Sequence, residues 1–258
     1  MADAIVTTED GFLGGQLRLR QPKSGHRAGH DAILLAAATS AQAGHKVVDF
    51  GSGVGTAGLA LAKRVPGLSL TLVEIDPQLT ELARENAAAN CIAADVVTLD
   101  IAASAQLFAA AGLPQDSADA VLMNPPFNDP ARHRASPNRS REIAHVATED
   151  TLQTWIHAAR RLLKSGGVLT LIWRADGLPD VLAALGRGFG SVAIMPVHGD
   201  ATAPAIRVLV RAVKGGRAPA AIEPGISLRD ADGAPDLHIQ RVLAGQAVLP
   251  WSSLRASL

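Results

Sequence analysis

Between residues 46 and 173, short apolar runs alternate with helical stretches, and no other feature of the chain restricts its fold as tightly. The runs at 46–50, 68–74, 95–99, 119–123 and 168–173 are of strand length and mostly aliphatic, as buried strands are. Helices are predicted at 56–64, 77–90 and 151–164. Asp76 is placed to cap the second of these, with Pro77 at its first position, where a missing N–H leaves no bond unmade. Strands separated by single helices make βαβ units, so the fold class is α/β with a mostly parallel, doubly wound sheet. A helix at 178–185 follows, then strands near 191–195 and 205–213 joined by a short polar link, which predicts a terminal antiparallel hairpin.

Ahead of this series, Leu17, Arg18, Leu19 and Arg20 alternate within 11–24, as in a strand or hairpin with one polar face. Residues 31–43 read as a helix stopped by Gly44. Residues 215–236, rich in Gly, Pro and Ala, read as a surface excursion, and 237–249 as a final helix. One domain over 1–258 is expected, with a substrate-side appendage at 1–26 and a C-terminal extension at 215–258.

Composition narrows the function classes. With 24 basic and 24 acidic residues, the chain lacks the overall positive charge of many nucleic-acid binders, so any such surface must be local. A single cysteine, Cys91, rules out an intramolecular disulfide and leaves no cysteine-based zinc set, and no metal site is expected. No apolar run approaches the ~20 residues that span a bilayer. The first ten residues carry Asp3, Glu9 and Asp10 and no basic stretch, so the expectation is a cytoplasmic protein with no membrane partner.

The strand ends carry the chemistry. Asp49-Phe50-Gly51-Ser52-Gly53-Val54-Gly55-Thr56 follows the first parallel strand and opens a helix. Ligands bind beyond the carboxyl ends of parallel strands, where glycines let backbone approach closely. The second strand ends in Glu74, whose carboxylate can accept both ribose hydroxyls of a nucleoside. Asp100, with Ile101 beside it, closes the third strand region and is placed for an adenine amino group. Any one acid alone is a strand-end residue or cap; three at successive strand ends outline an adenosine site. The glycines run G-x-G-x-G, not the G-x-G-x-x-G that seats a pyrophosphate on a helix N-terminus. This disfavours a dinucleotide dehydrogenase.

Asn124-Pro125-Pro126-Phe127 follows the fourth strand. With the loop at 49–56, it resembles motif I and the N-P-P-[YF] motif of class I methyltransferases acting on planar nitrogens. The resemblance implies a Rossmann-like, seven-stranded fold and S-adenosyl-L-methionine as cofactor. An exocyclic amine is a poor nucleophile because its lone pair is delocalised. The Asn124 side-chain oxygen and Pro125 carbonyl can accept its two N–H bonds, Pro125 and Pro126 stiffen the turn, and Phe127 can stack on the base.

Arg27-Ala28-Gly29-His30-Asp31-Ala32-Ile33-Leu34-Leu35 is similar to the segment before motif I in the bacterial family that methylates N6 of an adenine beside the anticodon of valine tRNA. His30 stands where that family has a hydroxyl residue. The resemblance spans roughly residues 11–250. It implies tRNA as partner, and Arg27, Gly29 and Asp31 near the methionine end of the cofactor. Acid-free basic stretches at 11–30, 131–141 and 205–217 supply local charge for RNA, and Arg132, Arg134, Arg139 and Arg141 are the favoured substrate contacts. The alternatives are a protein glutamine amide, an rRNA guanine amino group, or an RNA-binding module of the same fold without turnover. Glutamine methyltransferases usually carry a large helical domain ahead of the catalytic one, and none is visible here.

Overall fold

The computed structural model describes residues 6–24, 27–126 and 139–251, with the backbone alone at 139–150. Strands β1 (Thr7–Phe12) and β2 (Leu17–Pro22) form an antiparallel pair of their own. Helix α1 (His30–Ala38) leads into the series β3 (Lys46–Phe50), α2 (Thr56–Arg64), β4 (Ser69–Glu74), α3 (Pro77–Ala89), β5 (Ala94–Thr98), α4 (Ala105–Ala110) and β6 (Ala118–Met123). After α5 (Arg139–Leu162) come β7 (Leu163–Arg174), α6 (Leu178–Leu185), β8 (Phe189–His198) and β9 (Ala205–Lys214). The chain closes with β10 (Ala221–Ile222), β11 (Ile226–Ser227) and α7 (Leu237–Leu243).

The main sheet has the order β10-β8-β9-β7-β6-β3-β4-β5, with β11 also on β8. From β7 to β5 every pairing is parallel, and β9 runs antiparallel between β7 and β8. The expected hairpin is therefore β8–β9. The described sheet has nine strands where seven were expected, because the two-residue β10 and β11 extend its β8 edge.

Both faces are covered, as a parallel sheet requires. On one face α1, α2, α3 and α7 bury Leu35, Leu59, Ala83 and Val242 against Leu72 and Leu122. On the other, α4, α5 and α6 bury Phe108, Ile156 and Val181 against Phe50, Val121 and Trp173. Local signals start the helices as expected: Asp76 Oδ1 accepts from the N–H groups of Gln78 and Leu79, with Pro77 at the first position.

Three differences from expectation have physical causes. Helix α4 went unread because it is short and buries one large side chain, Phe108, so no periodicity develops. Helix α5 starts at Arg139, inside what reads as an arginine-rich loop, because Arg139, Arg141, Glu142, Glu149 and Asp150 confine the apolar residues of 139–150 to a single short turn. The start of β7 at Leu163 overrides a predicted helix end at 164, and its pairing with β6 shifts register between Ala118 and Ala120.

Candidate active site

The register of the sheet assembles the site. Phe50 pairs with Val73 on one side and Met123 on the other, and Met123 pairs with Leu171. The glycine loop and Asn124 therefore leave adjacent strands at one level. The strand order reverses at β3, which places both at the topological switch point.

The loop is shaped by backbone few side chains tolerate. Gly51 has φ 64°, and a Cβ there would lie 2.3 Å from the Trp155 ring, which α5 lays against the loop. Gly55 is the N-cap of α2 in the left-handed region, at φ 90°. Glu74, buried at the end of β4, ties the loop down: one carboxylate oxygen accepts from the Gly53 N–H at 2.8 Å, the other from Ile75 and Asp76 at 2.9 and 3.0 Å. Asp49 lies beneath, fully buried, accepting from the Gly58 N–H at 2.8 Å. Burial pushes its carboxyl up to about 7; the Gly58 bond opposes this and nearby Glu74 adds to it.

Three polar side-chain atoms around the loop are buried with no hydrogen-bond partner among the described residues: Ser52 Oγ, Thr56 Oγ1 and Asn124 Oδ1. Buried polar groups are normally paired, so such a group at a strand's carboxyl end points to a ligand that pairs it. Pro125 is buried after Asn124 and Pro126 is exposed. Asp100 is exposed and one of its oxygens accepts from the Ala102 N–H at 2.8 Å, while Ile101 is buried beside it.

The N-terminal residues divide. Gly29 is the N-cap of α1 and Asp31 lies in its first turn, where its carboxylate meets Arg207 Nε of β9 at 3.0 Å. Arg27 is engaged within the hairpin, with Asp10, Thr8 Oγ1 and the Pro22 carbonyl. Phe127, Arg132 and Arg134 lie outside the described residues, as do the side chains of Arg139 and Arg141, whose backbone is helical.

Two residues escaped sequence reasoning, and a third, Arg207, was read only as part of the basic stretch 205–217. Trp155 walls the glycine loop; a lone tryptophan in the helix after the proline tetrad was its only signal. Gly58 admits Asp49, since a Cβ there would sit 3.0 Å from the carboxylate. Arg207 partners Asp31 from far along the chain, which no local pattern reveals. The acid-free basic stretches are also less free than they read: Arg18, Arg20 and Arg27 meet Glu9, Glu85 and Asp10, and Lys214 meets Asp116.

This fold, with a glycine loop, strand-end acids and an asparagine–proline turn at the switch point, defines a class I methyltransferase. A family model for the methyltransferase small domain matches residues 27–198, and the chain belongs to that family. It is 33% identical over 178 residues to a tRNA1(Val) (adenine(37)-N6)-methyltransferase of Porphyromonas gingivalis, covering 67% of this chain and 68% of the relative. A relative of the same description from Erwinia tasmaniensis is 29% identical over 209 residues, 80% of this chain and 82% of its own length. Among solved structures, a predicted O-methyltransferase from Agrobacterium tumefaciens superposes with a TM-score of 0.71 at 28% identity, covering 85% of this chain and 98% of its own.

Proposed function

We propose that the chain transfers a methyl group from S-adenosyl-L-methionine to the exocyclic N6 amino group of an adenine in tRNA. The observation that carries this reading is the buried, unpartnered Asn124 Oδ1 at the end of β6, beside the glycine loop of β3. The descriptions of the relatives support the choice of base and RNA.

The residues present fit the cofactor. The unpaired hydroxyls of Ser52 and Thr56 await polar partners, and Glu74, whose three backbone donors leave one of its roughly four acceptor sites open, can accept one ribose hydroxyl as well. Asp100 and Ile101 are assigned to the adenine, one as acceptor and one as apolar wall. Gly51, Gly53 and Gly55 admit the donor close to backbone, and Gly29, Asp31 and Arg27 belong to its methionine end. When bound, S-adenosyl-L-methionine supplies an electrophilic sulfonium methyl. The remaining work is positioning. Asn124 Oδ1 and the Pro125 carbonyl accept the two N–H bonds of the target amine, which turns its lone pair out of conjugation. The prolines hold those acceptors rigid, Phe127 stacks on the base, and Arg132, Arg134, Arg139 and Arg141 bind the flanking phosphates.

Asn124→Ala tests the mechanism. We expect kcat to fall on the order of 10²–10³-fold, the scale of losing one preorganised polar contact, with little change in S-adenosylhomocysteine affinity. Normal turnover in the folded variant refutes the role. Mass spectrometry of nucleosides from treated RNA identifies the product: N6-methyladenine supports the reading, while a methylated guanine overturns it.

A further inference from the structure

The outer surface of α5 carries a basic track that meets the proposed cofactor site only at Ile101. Two adjoining hollows, of about 490 and 440 Å³, share His157, Arg160 and Arg161. The first reaches Ile101–Ala103, just past the end of β5 and so at the cofactor edge of the sheet. The second reaches Ser165 and Gly215, at the opposite edge where β7 begins. The track therefore crosses the whole sheet, about 20 Å for a strand the length of β6. No acidic residue lines either hollow among the described residues.

Its cations are of two kinds. Arg161 is structural, with its guanidinium stacked 4.8 Å from the Phe108 ring centroid and donating to the Ala103 carbonyl. Lys164 and Lys214 are neutralised by Asp119 and Asp116. Arg160, Arg187 and Arg217 are exposed and have no carboxylate partner among the described residues. They come from three separate parts of the chain whose backbones meet beside the second hollow, which Arg160 alone of the three lines. Arg160 lies against Gly188, Arg187 precedes that glycine, and the Gly188 carbonyl accepts from the N–H of Gly215, two residues before Arg217. Arginines drawn from distant parts of the chain, unneutralised among the described residues and joined by a groove that no described acid lines to the catalytic edge, match a polyanion long enough to reach both edges.

We propose that this track is a second RNA-binding surface, where Arg160, Arg187 and Arg217 hold backbone phosphates of the substrate RNA about one sheet width from the target base. The inference rests on the RNA reading above. Phosphate contacts at this distance set affinity and register and carry no sequence information.

The test measures anisotropy of labelled, unfractionated tRNA against salt for the wild type, the triple variant R160Q/R187Q/R217Q and its lysine counterpart. Each lost phosphate contact lowers the log–log salt slope by about 0.9 or less, so the glutamine variant is expected to lose roughly two to three units of slope and to bind about tenfold more weakly at low salt. The lysine variant keeps most of the slope. S-adenosylhomocysteine affinity and kcat at saturating RNA stay unchanged, since none of the three residues reaches the reacting atoms. R187Q/R217Q, which leaves the Arg160 packing on Gly188 intact, carries the test should the triple variant be unstable. A wild-type slope in the glutamine variants refutes the track and leaves the RNA reading standing. A wild type that binds no tRNA while methylating a protein overturns both.

Discussion

Asp49 and Asn124 show how differently two buried side-chain oxygens can be held on adjacent strands. Asn124 Oδ1 lacks a partner among the described residues, whereas Asp49 has one backbone donor and still titrates near 7, because burial outweighs that bond. The consequence for stability has a definite sign. Between the ordinary carboxylate pKa of about 4 and the raised value, the folded state holds a proton that the unfolded state has released. Stability therefore falls as pH rises through that window and levels off above about 7. Asp49→Asn keeps an acceptor for the Gly58 N–H and removes the titration. Thermal melts from pH 4.5 to 8.5 are expected to show a decline in the wild type that is flattened in the variant, and parallel curves would remove Asp49 as its source. The place of Asp49 just ahead of the glycine loop was legible, since an acid before such a loop is a local pattern. Its protonation was not, because the burial comes from Leu72 and from α2 folding back over it, with Gly58 close against the carboxylate.

At the scale of elements, the strands of the β3–β7 series and the loops at their ends could be read directly, because strand length, capping and glycine spacing are all local, though α4 and the start of α5 could not. What could not be read are the contacts that bind one element to another. Asn86 on α3 is the clearest. It is 1% exposed, and its carboxamide accepts from the Arg20 N–H and donates to the carbonyls of Arg20 and Val54. In sequence it is one of several polar residues in the helix; in the fold it pins the β1–β2 hairpin to α3 and both to the glycine loop. Asn90, one turn on, repeats the pairing with Arg18. Trp155 does the same from the other face, reaching the loop from α5. Asn86→Ala leaves three backbone groups without their partner. It is expected to cost about 2–4 kcal/mol in urea unfolding, at roughly 1 kcal/mol or somewhat more per lost bond. S-adenosylhomocysteine affinity should fall as well, because the Val54 carbonyl belongs to the loop. A stability loss with unchanged affinity would show that the hairpin anchor and the loop are energetically separate.

For the whole molecule, the tail decides how the sheet is finished. Residues 215–236 read as an excursion, yet β10 and β11 pair with β8 and cover an edge that would otherwise present unpaired backbone. Helix α7 then packs on α1, burying Ile239 and Val242 in the same apolar cluster as Leu35 and Leu209. At the junction, Arg211 donates to the Ala38 carbonyl at the end of α1 and lies 4.1 Å from the Trp251 ring centroid, so strand, helix and tail meet at one guanidinium. Burial lowers the pKa of Arg211 to about 10, with Glu223 working against that shift and Arg64 with it. The group remains charged at neutral pH. If the tail is part of the folding unit, its buried positions must behave as core and its exposed ones must not. Ile239, 2% exposed, and Leu237, 81% exposed, sit two residues apart on α7 and make the comparison within one helix. Ile239→Ala is expected to destabilise the whole domain by about 2–5 kcal/mol in a single urea transition, through lost transfer energy and the cavity left behind. Leu237→Ala should stay within roughly 0.5 kcal/mol of the wild type. Two separate transitions in the Ile239 variant, with only a minor one displaced, would mean instead that the tail folds on its own and merely rests against α1.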